Sequence, residues 1–296
     1  MRIVEPFSVT PSMLASSNIP EDDHPAWSVA TAYTVGNRVV RAQSIWECIQ
    51  DHTGEDPLDD TAAAFWLRIG ATNRWRAFDG RLGGQTVGGT SIEYKIGLTR
   101  TLTTLAFFGL DAESIDVKVT APGPTVIYDE TIELTSRAGV GNFWEYVFTD
   151  FGFRPDLILR NVPLPSGATL EISINAGAAA RVAEIVIGTE IVIGTTTTGT
   201  GLGIVDYSRK DRDEFGGIFL VPRAVTRNVK YRFVIQTGDG GRVQQVMERV
   251  TSRVCIYYAV DGEDTFGTTT IGILRDYDLT LDAGISFGLI EVESLT

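Results

Sequence analysis

The chain has 296 residues, a formal net charge of −13, 43% hydrophobic residues and 21% charged residues. That length holds two or three small domains or one large β domain, and the composition supports a buried core rather than disorder. The acidic balance argues against non-specific nucleic-acid binding and against docking on an anionic membrane leaflet, both of which need a basic surface.

Residues 1–24 read as an extended arm: one short strand-like run, Arg2 to Val4, three prolines, and then the acidic cluster Glu21-Asp22-Asp23 as a solvated linker. An arm with no core of its own docks on its own body or on a neighbouring subunit. Residues 25–70 form a compact aromatic unit with Trp27, Tyr33, Trp46, Phe65 and Trp66. Gly36-Asn37 is its turn, leading into a strand to Val40, and Ser44 to Ile49 is the next strand. Residues 71–180 alternate short strands with turns: Ser91 to Leu98, Leu102 to Leu110, Ser114 to Thr120, Thr125 to Leu134, Trp144 to Phe148, Leu157 to Asn161 and Thr169 to Asn175. Strands at roughly ten-residue spacing without helical periodicity predict an antiparallel sandwich.

Residues 181–296 differ. They open with a hexapeptide repeated once, Glu184 to Thr189 and Glu190 to Thr195, too short for a solenoid. A threonine- and glycine-rich turn, Thr195 to Gly203, precedes the mixed-sign segment Asp206 to Gly216. Strands are expected at Asn228 to Gln236, Val254 to Val260, Thr269 to Leu274, Leu279 to Leu281 and Ile285 to Glu293. Between the first two lies the chain's one clear helix, over 241–253, with Val243, Val246, Met247 and Val250 on a single stripe and Asp239 as its cap.

Catalytic chemistry is not written into the sequence. With only His24 and His52, a histidine-rich metal site cannot be built. Cys48 and His52 lack a third group to orient a dyad. Gly199 to Gly203 lacks the helix and the Lys-Ser/Thr pair of a phosphate loop. Asp56, Asp59 and Asp60 lack calcium-loop spacing. No enzyme, cofactor or metal is therefore expected, and Cys48 and Cys255 read as buried, reduced thiols. The first ten residues show no basic patch followed by an apolar run, and no stretch reaches the roughly 18 apolar residues of a membrane span, so a chain made in a cytoplasm without membrane insertion is expected.

The order Trp27, Tyr33, Gly36, Val39, Trp46, Phe65-Trp66 resembles the small chitin-binding modules of bacterial chitinases over about 45 residues. The resemblance implies sugar stacking on exposed aromatics, with Trp27, Tyr33, Trp46 and Trp66 as the candidates. The place after the central strand, where the family exposes its aromatics, reads Ile49-Gln50-Asp51-His52 without a tryptophan, so these rings stand equally as a mini-core. More widely, the layout resembles tail proteins of tailed bacteriophages. It shares the arm Ile3-Val4-Glu5-Pro6-Phe7, the chitin-module pattern, the segment Thr72 to Gly80, and Asp206-Tyr207-Ser208-Arg209-Lys210 with Asp213-Glu214-Phe215-Gly216. The last third is similar to the tube-type domain of distal-tail and tail-tip rings.

The resemblance implies a mainly β chain: a small chitin-module-like domain, an antiparallel β-sandwich and a tail-tube-like β domain with one amphipathic helix. It implies a structural component of a phage tail tip or baseplate, made in the host cytoplasm and exposed in the virion tail. Its partners would be copies of itself in a ring or other symmetric assembly, together with tube, hub or fibre proteins, and weakly a surface glycan. Ile3, Val4, Tyr207, Arg209, Lys210, Arg212, Asp213 and Glu214 are the candidate assembly residues. The competing reading is a receptor-binding lectin for host polysaccharide. A glycan hydrolase is a distant third, since no paired carboxylates are apparent.

Overall fold

A computed structural model describes residues 1–136, 152–212, 214–223, 225–259 and 268–295. Those residues are mainly β, in antiparallel sheets, with a single α-helix. The chain divides into two compact units that do not follow its linear order: residues 1–7 join 187–296, and residues 8–186 form the other. The arm is thus divided between units. The expected strand Trp144 to Phe148 lies outside the described residues.

In the unit of residues 8–186, one sheet runs in the order Val126–Glu133, Ser114–Thr120, Thr169–Asn175, Ser91–Gly97, Leu14–Ser17. Period-two patterning decides its faces. Ile92, Tyr94 and Ile96, Ile115, Val117 and Val119, and Leu170, Ile172 and Ile174 are buried on the inner face. On the outer face Lys95, Glu171, Lys118 and Asp129 stand side by side across four strands. Lys95 meets Glu171 at 2.6 Å, and Lys118 meets Asp129 at 3.8 Å. The second layer pairs Leu102–Phe108 with Leu157–Leu164, and its Leu105-Ala106-Phe107-Phe108 run is buried throughout, as a strand covered on both faces requires. This is the expected sandwich. Leu14–Ser17 is an unexpected member, since Leu-Ala-Ser-Ser carries little strand propensity and gains its order from pairing with Ser91–Gly97.

The acidic cluster is no solvated linker. Glu21 lies 3.6 Å from Arg74, Asp23 lies 3.8 Å from Arg76, and the Asp23 carboxylate accepts the Asn73 backbone N–H at 3.1 Å. Arg74 Nε also donates to the Ile19 carbonyl at 2.6 Å, and the Tyr94 hydroxyl donates to the Arg74 carbonyl at 2.8 Å. The Thr72 to Gly80 segment is therefore a clasp that ties residues 19–23 to the inner face of the sandwich.

In the other unit the sheet runs Ile187–Val192 (the later part of strand Glu184–Val192), Arg2–Phe7, Val254–Tyr258, Thr270–Thr280, Ile285–Ser294, Val225–Gln236. Thr195–Thr196 and Gly201–Asp206 both pair onto the last of these, where only a turn was expected. The helix Gly240–Val250 lays Val243, Val246, Met247 and Val250 against Val229, Tyr231, Phe233, Ile290 and Val292. Asp239 occupies the N-cap position without making a side-chain cap hydrogen bond. Phe233 packs over Gly288, where a Cβ would fall 2.2 Å from Phe233 Cζ. The strands expected at Thr269 to Leu274 and Leu279 to Leu281 are one, Thr270–Thr280, with an irregularity between Leu274 and Asp276. Its charged middle, Arg275 to Asp278, hid that continuity.

Candidate functional site

Two places concentrate the candidate residues: the aromatic module and a hairpin that follows Gly201–Asp206.

The module is built on Arg38–Arg41, Ser44–Cys48 and Trp66–Ala71. Its first hairpin turns at Ala42 and Gln43, both at positive φ (49° and 61°), the backbone of a two-residue hairpin turn with unfavourable residue types. Tyr33, Val39, Cys48 and Trp66 form its core, with Trp27, Trp46 and Phe65 packed against them. Trp66 is 0% exposed. Its indole N–H and that of Trp27 both donate to the Glu55 carbonyl, at 2.9 and 3.1 Å. Tyr33 and Trp66 therefore cannot offer a ring face to a sugar, and their assignment as stacking residues is corrected to core. Trp27 and Trp46 are half-buried. The Arg41 guanidinium covers Trp27 at 4.9 Å, and the Trp46 N–H donates to the Arg41 carbonyl at 3.1 Å.

The module's polar groups are structural too. Arg41 makes two hydrogen bonds to Asp56, at 2.6 and 3.2 Å, and this pairing holds the Asp56 carboxyl below the usual range. Asp60 accepts the backbone N–H groups of Ala64, Phe65 and Trp66 at 2.9, 2.7 and 2.8 Å. His52 lies among aromatic rings, 4.9 Å from Trp66 edge-on. Burial raises the Cys48 thiol above its ordinary value, the opposite of what a nucleophile needs.

The hairpin pairs Arg209–Arg212 with Ile218–Val221, and among the described residues those strands pair only with each other. It turns through Glu214, Phe215 and Gly216, with Gly216 at φ +83°. Asp213 lies outside the described residues. Within the first strand Arg209 meets Asp211 at 2.6 Å, and Lys210 reaches back to Asp206, at the end of Gly201–Asp206, at 3.0 Å. The Tyr207 hydroxyl donates to the Glu293 carboxylate. Arg212 and Glu214 are exposed. The other strand presents Ile218, Phe219, Leu220 and Val221 to solvent, with Phe219 75% and Phe215 97% exposed. Leu202 and Ile204, on the strand Gly201–Asp206 that precedes the hairpin, are also exposed. Sequence reasoning singled out the charged half and missed the apolar half, because Ile-Phe-Leu-Val followed by Pro222 reads as an ordinary buried strand.

Of the other candidate assembly residues, Ile3 and Val4 are 0% exposed inside the sheet of their own chain. Their side chains are engaged there and do not form an outer surface.

No helix among the described residues is long and apolar enough to cross a membrane. No protein-family model matches the chain, and no curated protein matches it. Among solved structures the chain is similar to an F5/8 type C domain of a Bacteroides fragilis protein, at 16% identity over 52% of this chain and 97% of that one, with a TM-score of 0.29. A likeness at that score carries no argument.

Proposed function

We propose that this chain is a structural component of a tailed-phage tail tip or baseplate, which assembles symmetrically with copies of itself and links the tail to fibres or receptor-binding proteins. The observation that carries the assembly part of this reading is the Arg209–Val221 hairpin. A lone two-stranded ribbon is marginal in water, and one that exposes Phe215 at its turn, Ile218 and Leu220 on one face and Phe219 on the other calls for a partner to cover it. Charged groups on the paired strand suit a register-setting role across the contact. The tail placement rests on the resemblance of the arm, the Thr72 to Gly80 segment and the Asp206 to Gly216 segment.

Burial of Tyr33 and Trp66 removes half of the ring set on which a lectin reading depended. A glycan contact in this module falls to Trp27 and Trp46, whose faces are partly taken by Arg41 and the core.

The test is the solution mass of the purified full-length chain, followed by a glycan-array screen of the same sample. A defined oligomer that ignores glycans is expected. A stable monomer that binds one polysaccharide would overturn the reading in favour of the lectin.

A further inference from the structure

We propose that the 72–80 clasp is the stem that carries residues 25–70, and that its foot on the sandwich is a pH-sensitive catch formed by the carboxyl groups of Asp79 and Glu184. The catch goes beyond the assembly reading and is independent of it.

The two ends of the aromatic module leave it side by side, as legs of residues 19–23 and 72–80. Leg binds leg: the Thr72 hydroxyl donates to Glu21 at 3.0 Å, the Asn73 backbone N–H to Asp23, and Arg74 Nε to the Ile19 carbonyl. Among the described residues no hydrogen bond or ion pair joins residues 25–70 directly to residues 81–186. The second leg makes those contacts instead. The Thr86 hydroxyl donates to the Asn73 carbonyl at 2.7 Å and accepts the Ala77 N–H at 3.0 Å, and the Phe78 ring meets Tyr94 edge-on at 5.0 Å. The module has its own core of Tyr33, Val39, Cys48 and Trp66. It can therefore move as a folded body when the stem loosens.

The foot is the Asp79-Gly80-Arg81 turn, which follows a single turn of 3-10 helix, Arg76–Phe78. Two carboxyl groups converge on it: Glu184 Oε2 accepts the Gly80 N–H and Asp79 Oδ1 accepts the Arg81 N–H, both at 3.0 Å. Glu184 is only 6% exposed. The charged groups around the pair are Arg81, Arg76 and, from Trp66–Ala71, Arg68; all three act on Asp79. Among the described residues no cation is paired with Glu184. A carboxylate so placed is costly, so the seated foot keeps Glu184 protonated. Burial, with Asp79 adding to it, pushes the Glu184 carboxyl up to about 9, and burial raises Asp79 too. Lifted into water, the same groups titrate near their ordinary 4.5 and 3.8. The lifted foot thus sheds protons at lower pH than the seated one, so each pH step between those values favours lifting, and the effect ends above the upper value. Lifting draws Arg76 away from Asp23, now 3.8 Å distant, and loosens leg from leg.

The test is limited trypsin cleavage of the full chain between about pH 7 and pH 9, with rates corrected by an unstructured peptide that carries the same sites. Cleavage after Arg76 and Arg81 should rise about tenfold in the parent, within a ceiling of about a hundredfold over that interval. Glu184→Gln keeps an acceptor for Gly80 but has no proton to lose, and should show no rise. An equal rise in that variant would overturn the catch. So would an equal rise after Arg160, within Leu157–Leu164, because it marks unfolding of the whole sandwich. A carboxyl carbon-13 titration of the parent gives a readout that needs no variant. The rise in cleavage should level off where Glu184 titrates, and a rise that ignores that titration overturns the proposal.

Discussion

Glu184 should make the stability of the sandwich unit fall as pH rises. It opens the strand Glu184–Val192 yet is only 6% exposed. The Gly80 backbone N–H donates to its Oε2 at 3.0 Å. Burial pushes its carboxyl up to about 9, and nearby Asp79 adds to the effect. The Asp79 carboxyl is itself raised by burial, against the opposing charges of Arg81, Arg68 and Arg76. In the unfolded chain Glu184 titrates near its ordinary 4.5. Below that pH both states hold the proton and the group contributes no pH dependence. Between the two values the unfolded state has lost the proton and the folded state has kept it, so unfolding becomes easier by at most about 1.4 kcal/mol per pH unit. Over the whole interval that is a ceiling of about 6 kcal/mol, and water entering the Asp79-Gly80-Arg81 turn on ionisation brings the expected loss to about 3 kcal/mol. Glu184→Gln keeps an acceptor for Gly80 and carries no proton to lose. We expect the variant to lie within about 1 kcal/mol of the parent at pH 5 and to exceed it by about 2–3 kcal/mol at pH 9. Urea unfolding followed by tryptophan fluorescence measures this, because all five tryptophans (Trp27, Trp46, Trp66, Trp75 and Trp144) belong to residues 8–186. Parallel stability-against-pH curves for parent and variant would refute the reasoning.

Three further outcomes follow from packing. Trp66→Ala should destabilise the same unit by about 3–5 kcal/mol, and the half-buried Trp46→Ala by clearly less, in the same fluorescence assay. Gly288→Ala forces a methyl into the Phe233 ring and should lower the stability of the unit containing the helix by about 1–3 kcal/mol, read as faster amide exchange in Val225–Gln236 and Ile285–Ser294. Replacing Ala42-Gln43 with Asn-Gly should stabilise the module by about 0.5–1 kcal/mol, since both positions already have positive φ, and a lower melting temperature would show the turn to be otherwise constrained.

The elements that were legible are those whose signal is local. Ser91–Gly97, Ser114–Thr120 and Thr169–Asn175 announce themselves by strict alternation, and the helix by the spacing of Val243, Val246, Met247 and Val250. What escaped is set by partners distant in sequence. Arg2–Phe7 looks like the start of a loose arm, and only its two flanking strands, whose paired residues lie 180 or more positions away, make it part of a sheet interior. Glu21 and Asp23 read as solvated until Arg74 and Arg76 are placed beside them. In the module, the aromatic order fits a core as well as a sugar platform. The Glu55 carbonyl, which takes both indole N–H groups, has no sequence signature. Ile218 to Val221 shows the reverse difficulty: an apolar run normally means burial, and its exposure is a property of the fold around it.

We propose that the exposed apolar side chains of the Arg209–Val221 hairpin, Ile218 and Leu220 on one face and Phe219 and Val221 on the other, join chains together. Sedimentation of the intact chain beside Phe215→Ser/Phe219→Ser, over a hundredfold range of concentration, tests it most directly. Both side chains are exposed, so the double variant should keep its folding stability within about 0.5 kcal/mol. A defined oligomer is expected for the intact chain and a monomer for the variant. Equal oligomeric masses, or a monomer in both cases, would contradict it.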